Sequence, residues 1–471
     1  MVELTVLTDR EVEDIHQATL RILGEIGVIL THPQARDLLA GAGAVVQGER
    51  VLLPPDVVER QVGRCPAQVQ VRGRGGKTVV LGDGTLHWHN LGGARDVYEP
   101  RTGGSRPATL KDLRDSVRLL DALERVTTVT PFFTPQDVPG ELMSLAMYRH
   151  ALSNTSKPVQ GPGVHTTSEV GYAIQMAGVI GSPTEFLSLY ISPLSPLFFP
   201  DNVVGAMLTT ARAGIALTPL PCPTGGTTAP LSLAGALAQQ NAEVLASVVL
   251  AQVMQPGLPV VYCGRLAMME PRTGITVWSG VELGLASAAT VQIGRRYGLP
   301  VNVYGFSSNS HVLDVQSGFE RALNAAIPAL AGAAGLSGIG EMAAGVAGSY
   351  AQVVCDDEIA ASINRLRQGF VVDRDSLAVE VIAAAMSGAR NFLGHKHTRR
   401  YLRAGELLHT RLAERRPWEV WEREGRESMP ERAAAEADRL LAGHEVPPLT
   451  EEQERQLDEI MREAERELVA R

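Results

Sequence analysis

From about residue 84 the chain repeats one pattern. A short run of apolar, β-branched or aromatic residues ends in Pro, Gly, Ser or Asn, and a longer segment follows whose apolar residues recur at helical spacing. The runs that predict strands are "TLHWHNLG", "VTTVTPFFTP", "KPVQGPG", "FLSLYISP", "IALTPLPCP", "LPVVYCG", "PVNVYGF" and "LSGIGEM". Segments such as "LKDLRDSVRLLDAL", "NVVGAMLTTARAG" and "GVELGLASAATVQIGRRYG" predict helices between them. Strand and helix alternating over roughly 260 residues predict an α/β fold, with a (β/α)8 TIM barrel fitting better than an open sheet. Upstream, "TDREVEDIHQATLRILGEIGV" reads as a capped helix, and "AVVQGERVLLP", "AQVQVRG" and "KTVVLGDG" read as a small β-meander or hairpin system. Downstream, segments such as "EEQERQLDEIMREAERELVAR" predict charged helices with a solvated face. The expected parts are therefore an N-terminal cap (1–83), a barrel (84–354) and a C-terminal helical extension (355–471).

Composition narrows the partners. With 471 residues, 45% hydrophobic and 20% charged, the chain can bury a large core. A net charge of -9 and the absence of a long Lys/Arg block argue against nucleic acid or an anionic membrane as the main partner. "GALAQQNAEVLASVVLAQVM" is interrupted by Gln, Asn and Glu and reads as a buried helix rather than a membrane span. The first residues lack a basic region followed by an apolar one, so no signal peptide is predicted and a cytoplasmic protein is expected. Cys65, Cys222, Cys263 and Cys355 form no CxxC pair and read as free thiols. The exposed tail helices are compatible with a homo-oligomer.

In a barrel, functional side chains sit at the C-terminal ends of strands. Those ends carry Trp88, Asn90, Phe133, Tyr190, Tyr262, Tyr304 and Glu341, all candidates for a pocket. Several are aromatic in a chain with 5% aromatic residues, and ring faces attract cations, so an onium ligand is the natural inference. Core filling is the alternative for each ring. Glu341 follows eleven small or apolar residues, so it is either a paired buried charge or a group at the mouth of a site. His87-x-His89 has the period-two spacing of barrel metal sites, but "LYISP", "PLPCP" and "VYCG" supply no further His, Asp or Glu, and no metal is expected. "GRGGKTVVLGDG" lacks the spacing and context of a P-loop.

Taken in order, "GGARDVYEPRTGGSRPATLKDL", "ALSNTSKPVQGP", "APLSLAGALAQQNAEVLASVVLAQ", "VLDVQSGFERALNAAIPALAGAAGL", "SYAQVVCDDEIAASI" and "HKHTRRYL" resemble the trimethylamine methyltransferase (MttB) superfamily over nearly the whole chain. The resemblance implies a (β/α)8 barrel that transfers a methyl group from a methylated amine, or a quaternary amine such as a betaine, to the cobalt of a separate corrinoid protein docked over the barrel mouth. The cobalamin would belong to that partner, and this chain would supply positioning and electrostatics. Twenty ordinary amino acids place it with the branch that lacks pyrrolysine. A betaine carboxylate needs a cation. Arg95, in "GGARDVYE", is the first candidate, with an ion pair to Asp96 or Glu99 as its alternative; Arg265, in "YCGRLAMMEPRTG", is the second.

Some positions depart from the family pattern. Ser337 stands where relatives often carry an aromatic residue or His, Glu341 where they carry an apolar residue, and His311 where a Lys is frequent. These departures imply a re-lined pocket, with Glu341 and His311 setting substrate identity. Asp314 and Gln316 match the family and are candidates for orienting pocket groups or touching the corrinoid, with helix capping the alternative for Asp314. Two other classes compete: acid/base catalysis by Glu341 and His311 on the same fold, and a binder of cationic metabolites without turnover.

Overall fold

Each of the eight runs expected to be extended carries a strand in the computed structural model, which describes residues 2–161, 163–388 and 390–469. The strands, here counted first to eighth, are His87–Asn90, Val126–Thr128, Val159–Gly161, Leu187–Ile191, Ala216–Pro219, Tyr262–Cys263, Val301–Tyr304 and Gly335–Ile339. Pro162, in the third expected run, lies outside the described residues. Chain neighbours are parallel neighbours in space. The first strand pairs with the second, and the second reaches the third through a bridge from Val129 to Val159. The third, fourth and fifth form one ladder. Leu217 bridges the fifth strand to Val260 beside the sixth, and the sixth, seventh and eighth form another ladder. The eighth pairs with the first, Gly335 opposite His87.

Parallel strands require long crossovers, and a helix fills each one, from Leu110–Ala122 after the first strand to Val315–Leu330 after the seventh. Strands covered on both faces read as unbroken apolar runs; all five residues of Leu187–Ile191 are buried. Leu233–Met254 is the one described helix long and apolar enough to cross a bilayer, and it is mostly buried here. Its polar residues have partners. Gln240 donates to Thr290 Oγ1 (2.9 Å), Asn241 to Thr19 Oγ1 (2.9 Å), and Glu243 accepts from Ser195 Oγ (2.7 Å).

The N-terminal β segments do not form one meander. Val45–Gln47 and Arg50–Leu52 form a hairpin that joins Val28–Leu30 and Phe198–Phe199 in a four-stranded sheet. The helix Pro55–Val62 separates it from a second hairpin, Val69–Arg72 with Thr78–Leu81. That second hairpin seals one end of the strand ring: Val69 and Leu81 form an apolar cluster with Ala216, Val261 and Ala334, residues at or just before the starts of the fifth, sixth and eighth strands. Gly82 makes the exit turn at φ +95°, where a Cβ would lie 2.5 Å from the Ala67 carbonyl oxygen.

The first helix, Asp9–Arg21, opens with a capping box between Thr8 and Glu11. Near the other terminus, Tyr350–Gln368 follows the eighth strand and runs through residue 355, where the sequence pattern places the start of the extension. Met429–Gly443 packs on it, and Glu451–Leu468 packs on Gly140–Asn154 and Thr167–Ile180. The charged final helix is not solvated all round. Leu457 and Ala464 are buried, and Asp458 pairs with the buried Arg149 at 2.8 Å.

Candidate active site

Side chains alternate along a strand, so contacts across the ring reveal which residues point inward. Asn302, on the seventh strand, donates from Nδ2 to Tyr190 Oη on the fourth at 2.9 Å and lies 2.7 Å from His89 Nε2 on the first. His89 Nδ1 faces the Asn90 carbonyl oxygen at 2.9 Å, so that nitrogen carries the proton and Nε2 accepts from Asn302. Burial, then the positive charge of Arg265, holds the His89 pKa down to about 4, and the ring is neutral at ordinary pH.

Two residues beyond Asn302 on the seventh strand, toward the C-terminal ends of the strands, lies a charged layer. Arg265, 7% exposed, follows the sixth strand; it donates to Ser337 Oγ on the eighth at 2.9 Å, and its guanidinium carbon stands 4.8 Å from the Tyr304 ring centre. No carboxylate lies within 4.0 Å of it among the described residues, and its buried Nε has no hydrogen-bond partner. Tyr304 donates from Oη to Glu341 Oε2, and Ser307 donates to Oε1 at 3.1 Å. Trp278 meets Tyr304 edge-on, ring centres 5.6 Å apart. Glu341 is completely buried, and loss of hydration pushes its carboxyl well above the usual range; Arg265 opposes that shift and the charge of Asp356 adds to it. The layer therefore holds a cation with no acid of its own, a carboxyl that resists ionisation, and two aromatic faces.

A bulge aims Glu341. The pairing of first and eighth strands shifts register between Leu336 and Ile339, and position 338 takes glycine because its φ is +109° and a Cβ there would also meet the Phe306 carbonyl oxygen at 2.7 Å. Arg321 ties the two strand ends together: it donates to the Phe306 carbonyl at 3.0 Å, to the Glu341 carbonyl, and to Asp356 Oδ2 at 2.9 Å. Asp356 also accepts from Gly340 N at 2.8 Å. Both members of this ion pair are wholly buried. Asp356→Ala leaves Arg321 buried and unpaired, and should lower the unfolding free energy by about 3–5 kcal/mol, seen as a lower urea midpoint; Asp356→Asn, which keeps an acceptor for Gly340, should lose less.

The structure brings together Tyr190, Tyr304, Arg265 and Glu341 and disperses the other candidates. Trp88 points outward; its indole donates to Asn364 Oδ1 on Tyr350–Gln368 at 3.2 Å and its ring packs on Phe306. Tyr262 also faces the helices, donating to Asn241 Oδ1 at 2.8 Å and stacking on Tyr297. Phe133 lies between Phe132 and Tyr350. Asn90 stitches strand ends, accepting from Thr130 N at 2.9 Å and donating to Thr130 O at 2.7 Å. Arg95 is exposed and pairs with Asp96 at 2.7 Å, so its ion-pair alternative is the one observed. Asp314 caps Val315–Leu330 through Ser317 N at 3.0 Å, and Gln316 is exposed and donates to Glu320 Oε1 at 3.1 Å. His311 is exposed on the loop after the seventh strand, and no hydrogen bond joins it to Glu341 among the described residues, so the acid/base pair is not formed. His87 bonds to the Val80 carbonyl of the sealing hairpin at 3.1 Å. Sequence reasoning passed over Asn302, Ser307 and Trp278; the period-two step back from Tyr304 in "VNVY" points to the first of these.

With this geometry in place, residues 1–468 match the sequence profile of the trimethylamine methyltransferase (MTTB) family. The chain belongs to that family. It is 32% identical over 459 residues to a glycine betaine methyltransferase of Desulfitobacterium hafniense (strain Y51), covering 94% of this chain and 93% of the relative. It is 29% identical over 466 residues to the trimethylamine methyltransferase MttB of Methanosarcina barkeri, covering 95% and 92%. Among solved structures, the Methanosarcina barkeri monomethylamine methyltransferase MtmB superposes with a TM-score of 0.50 at 13% identity, over 97% of this chain and 92% of that one. That likeness supports the fold. In this member of the trimethylamine methyltransferase family, a buried arginine and a buried glutamate flank one tyrosine.

Proposed function

We propose that this protein takes a methyl group from a quaternary or tertiary methylated amine that also carries a carboxylate, and delivers it to a corrinoid protein. The observation that carries the reading is Arg265, a buried cation with no acid partner among the described residues, set against a ring and a carboxyl suited to an onium group. An amine carboxylate would engage the free edge of Arg265. Its methylated nitrogen would lie toward Tyr304 and Trp278, where ring faces stabilise positive charge, and toward Glu341, which ionises when a cation stands within about 4–6 Å. The corrinoid of the partner protein supplies the nucleophilic cobalt. From a quaternary ammonium, or a tertiary amine bound in its protonated form, the N–CH3 bond would break with its electron pair left on nitrogen as the methyl carbon bonds to the partner's nucleophile, so the nitrogen departs uncharged. The chain's contribution is to hold the methyl carbon in line and to exclude water.

The same reading takes residues 84–354 as a closed (β/α)8 barrel, supported by strand pairing that returns to its starting strand. The corrinoid protein would then seat on the C-terminal mouth, where Val315 and Phe319 expose apolar surface at the start of the helix after the seventh strand. The test is an assay of betaines, carnitine, choline and simple methylamines with a reduced corrinoid protein, followed through the cobalt absorbance. Carboxylate-bearing amines should be preferred over choline. No methyl transfer from any of them would overturn the proposal, and turnover without the corrinoid protein would favour acid/base chemistry.

A further inference from the structure

Trp278 reaches Tyr304 from a hairpin at the C-terminal end of the strand ring. Past the sixth strand and Arg265, the chain runs out along Ala267–Met269 and returns along Thr276–Val277, paired antiparallel with it. The outgoing strand also pairs with Thr224–Gly225, from the loop after the fifth strand, which leaves Thr276–Val277 as the edge. No residue from Met268 to Trp278 is buried, so packing holds this hairpin only lightly. Yet the residue that ends it sets an indole against the ring of Tyr304, which is 3% exposed. An edge-on ring pair is a modest attraction, and something else must fix where the indole sits.

One side chain spans the gap between this edge and the loop after the seventh strand. Trp278 N donates to Asn309 Oδ1 at 2.9 Å, and Asn309 Nδ2 faces the Thr276 carbonyl oxygen at 3.5 Å. A residue on a parallel strand opposite Val277 would take the same two groups, a carbonyl before it and an N–H after it. The Asn309 carboxamide, carrying one acceptor and one donor face, stands in for that missing peptide. Its own footing is firm. Asn309 N donates to Glu320 Oε2 at 3.3 Å, Ser308 Oγ donates to the same oxygen at 2.6 Å, and the carbonyls of Ser308 and Ser310 accept from Ala344 N at 2.9 Å and Ala343 N at 3.0 Å. A lightly held hairpin is thus clipped to a braced loop at the point where its indole enters the pocket.

We infer that Asn309 is a positioning residue for methyl transfer, one that acts through Trp278 by seating its ring as a wall of the onium pocket. The inference rests on the proposed reading of Trp278 and Tyr304 as rings that face the methylated nitrogen. Positive charge on that nitrogen fades as the methyl group leaves, so the wall favours the bound substrate over the transition state. Asn309→Ala should therefore raise KM for the methylated amine about tenfold while kcat changes by less than about threefold. Trp278→Ala should do the same, and adding Asn309→Ala to it should move KM by less than about twofold. Acrylamide quenching of the full chain without substrate, with the emission of the Trp278→Ala protein subtracted, isolates Trp278. Its quenching constant should rise at least twofold in Asn309→Ala, with circular dichroism unchanged. An unchanged quenching constant would overturn the inference whatever the substrate. So would a KM penalty that Asn309→Ala still imposes in the Trp278→Ala background. Failure of the wild type to turn over any methylated amine would instead overturn the proposed function, and quenching would still decide whether Asn309 holds the indole.

Discussion

Arg265→Ala should reduce kcat/KM for a carboxylate-bearing methylated amine by roughly 10²–10³-fold, equivalent to about 3–4 kcal/mol, because a desolvated charge pair would lose one member. The same variant should change turnover of choline, which has no carboxylate, by less than about tenfold. Arg265→Lys should fall between, since a point charge on a flexible stem does not reproduce the planar fork that now reaches Ser337 Oγ while facing Tyr304. Steady-state kinetics on the two substrates separate this role from a structural one. Equal losses on both would mean that Arg265 merely supports the eighth strand through Ser337.

Glu341→Gln should abolish a pH dependence that the wild type shows in two measurements. Burial holds the folded carboxyl protonated above its ordinary pKa of 4.5. A cationic substrate favours the ionised form, so wild-type affinity should rise up to about tenfold per pH unit as pH climbs toward the folded pKa, and the glutamine variant should lose that rise. Stability runs the other way. Between the unfolded and folded pKa values the native state binds more protons, so the stability contributed by Glu341 is complete below the ordinary value and is lost as pH rises. Relative to wild type, Glu341→Gln should therefore gain thermal stability as pH rises above the ordinary carboxyl value of 4.5. Buried Glu243, Asp356 and Asp357 have raised values too, so the informative quantity is the difference between the two proteins. Unchanged substrate binding across pH would assign Glu341 a structural role through Tyr304.

The strand ends were legible because apolar runs broke at Pro, Gly, Ser and Asn, and that was enough to bring Tyr190, Tyr304 and Glu341 into consideration; Arg265 entered only through the carboxylate that the family resemblance implies. The inward or outward sense of each residue was not. In "HWHN" both faces of the strand are buried, so nothing in the pattern distinguishes His89, which crosses the ring to Asn302, from Trp88, which meets the outer helix. Tyr262 failed for the same reason, and its partner Asn241 lies 21 residues upstream on a helix that reads as apolar. Arg95 and Arg265 look equivalent as isolated cations beside Gly-rich loops. What separates them is that Asp96 adjoins the first, while the second is buried against Ser337 and Tyr304, both far away in sequence. The bulge that aims Glu341 is not marked in the sequence: what requires a glycine at 338 is the Phe306 carbonyl, just beyond the neighbouring strand, which leaves no room for a Cβ.

The hairpin Val69–Leu81 acts as a stopper, and a vessel stoppered at one end fills and empties through the other. A corrinoid protein seated on that remaining end, as proposed, would block traffic while it stays. The amine would then have to be aboard before the partner arrives, and the demethylated product would wait for its departure. Turnover would become a queue at one door, paced by the lifetime of the protein–protein complex, and on that proposal an excess of corrinoid protein should slow the reaction.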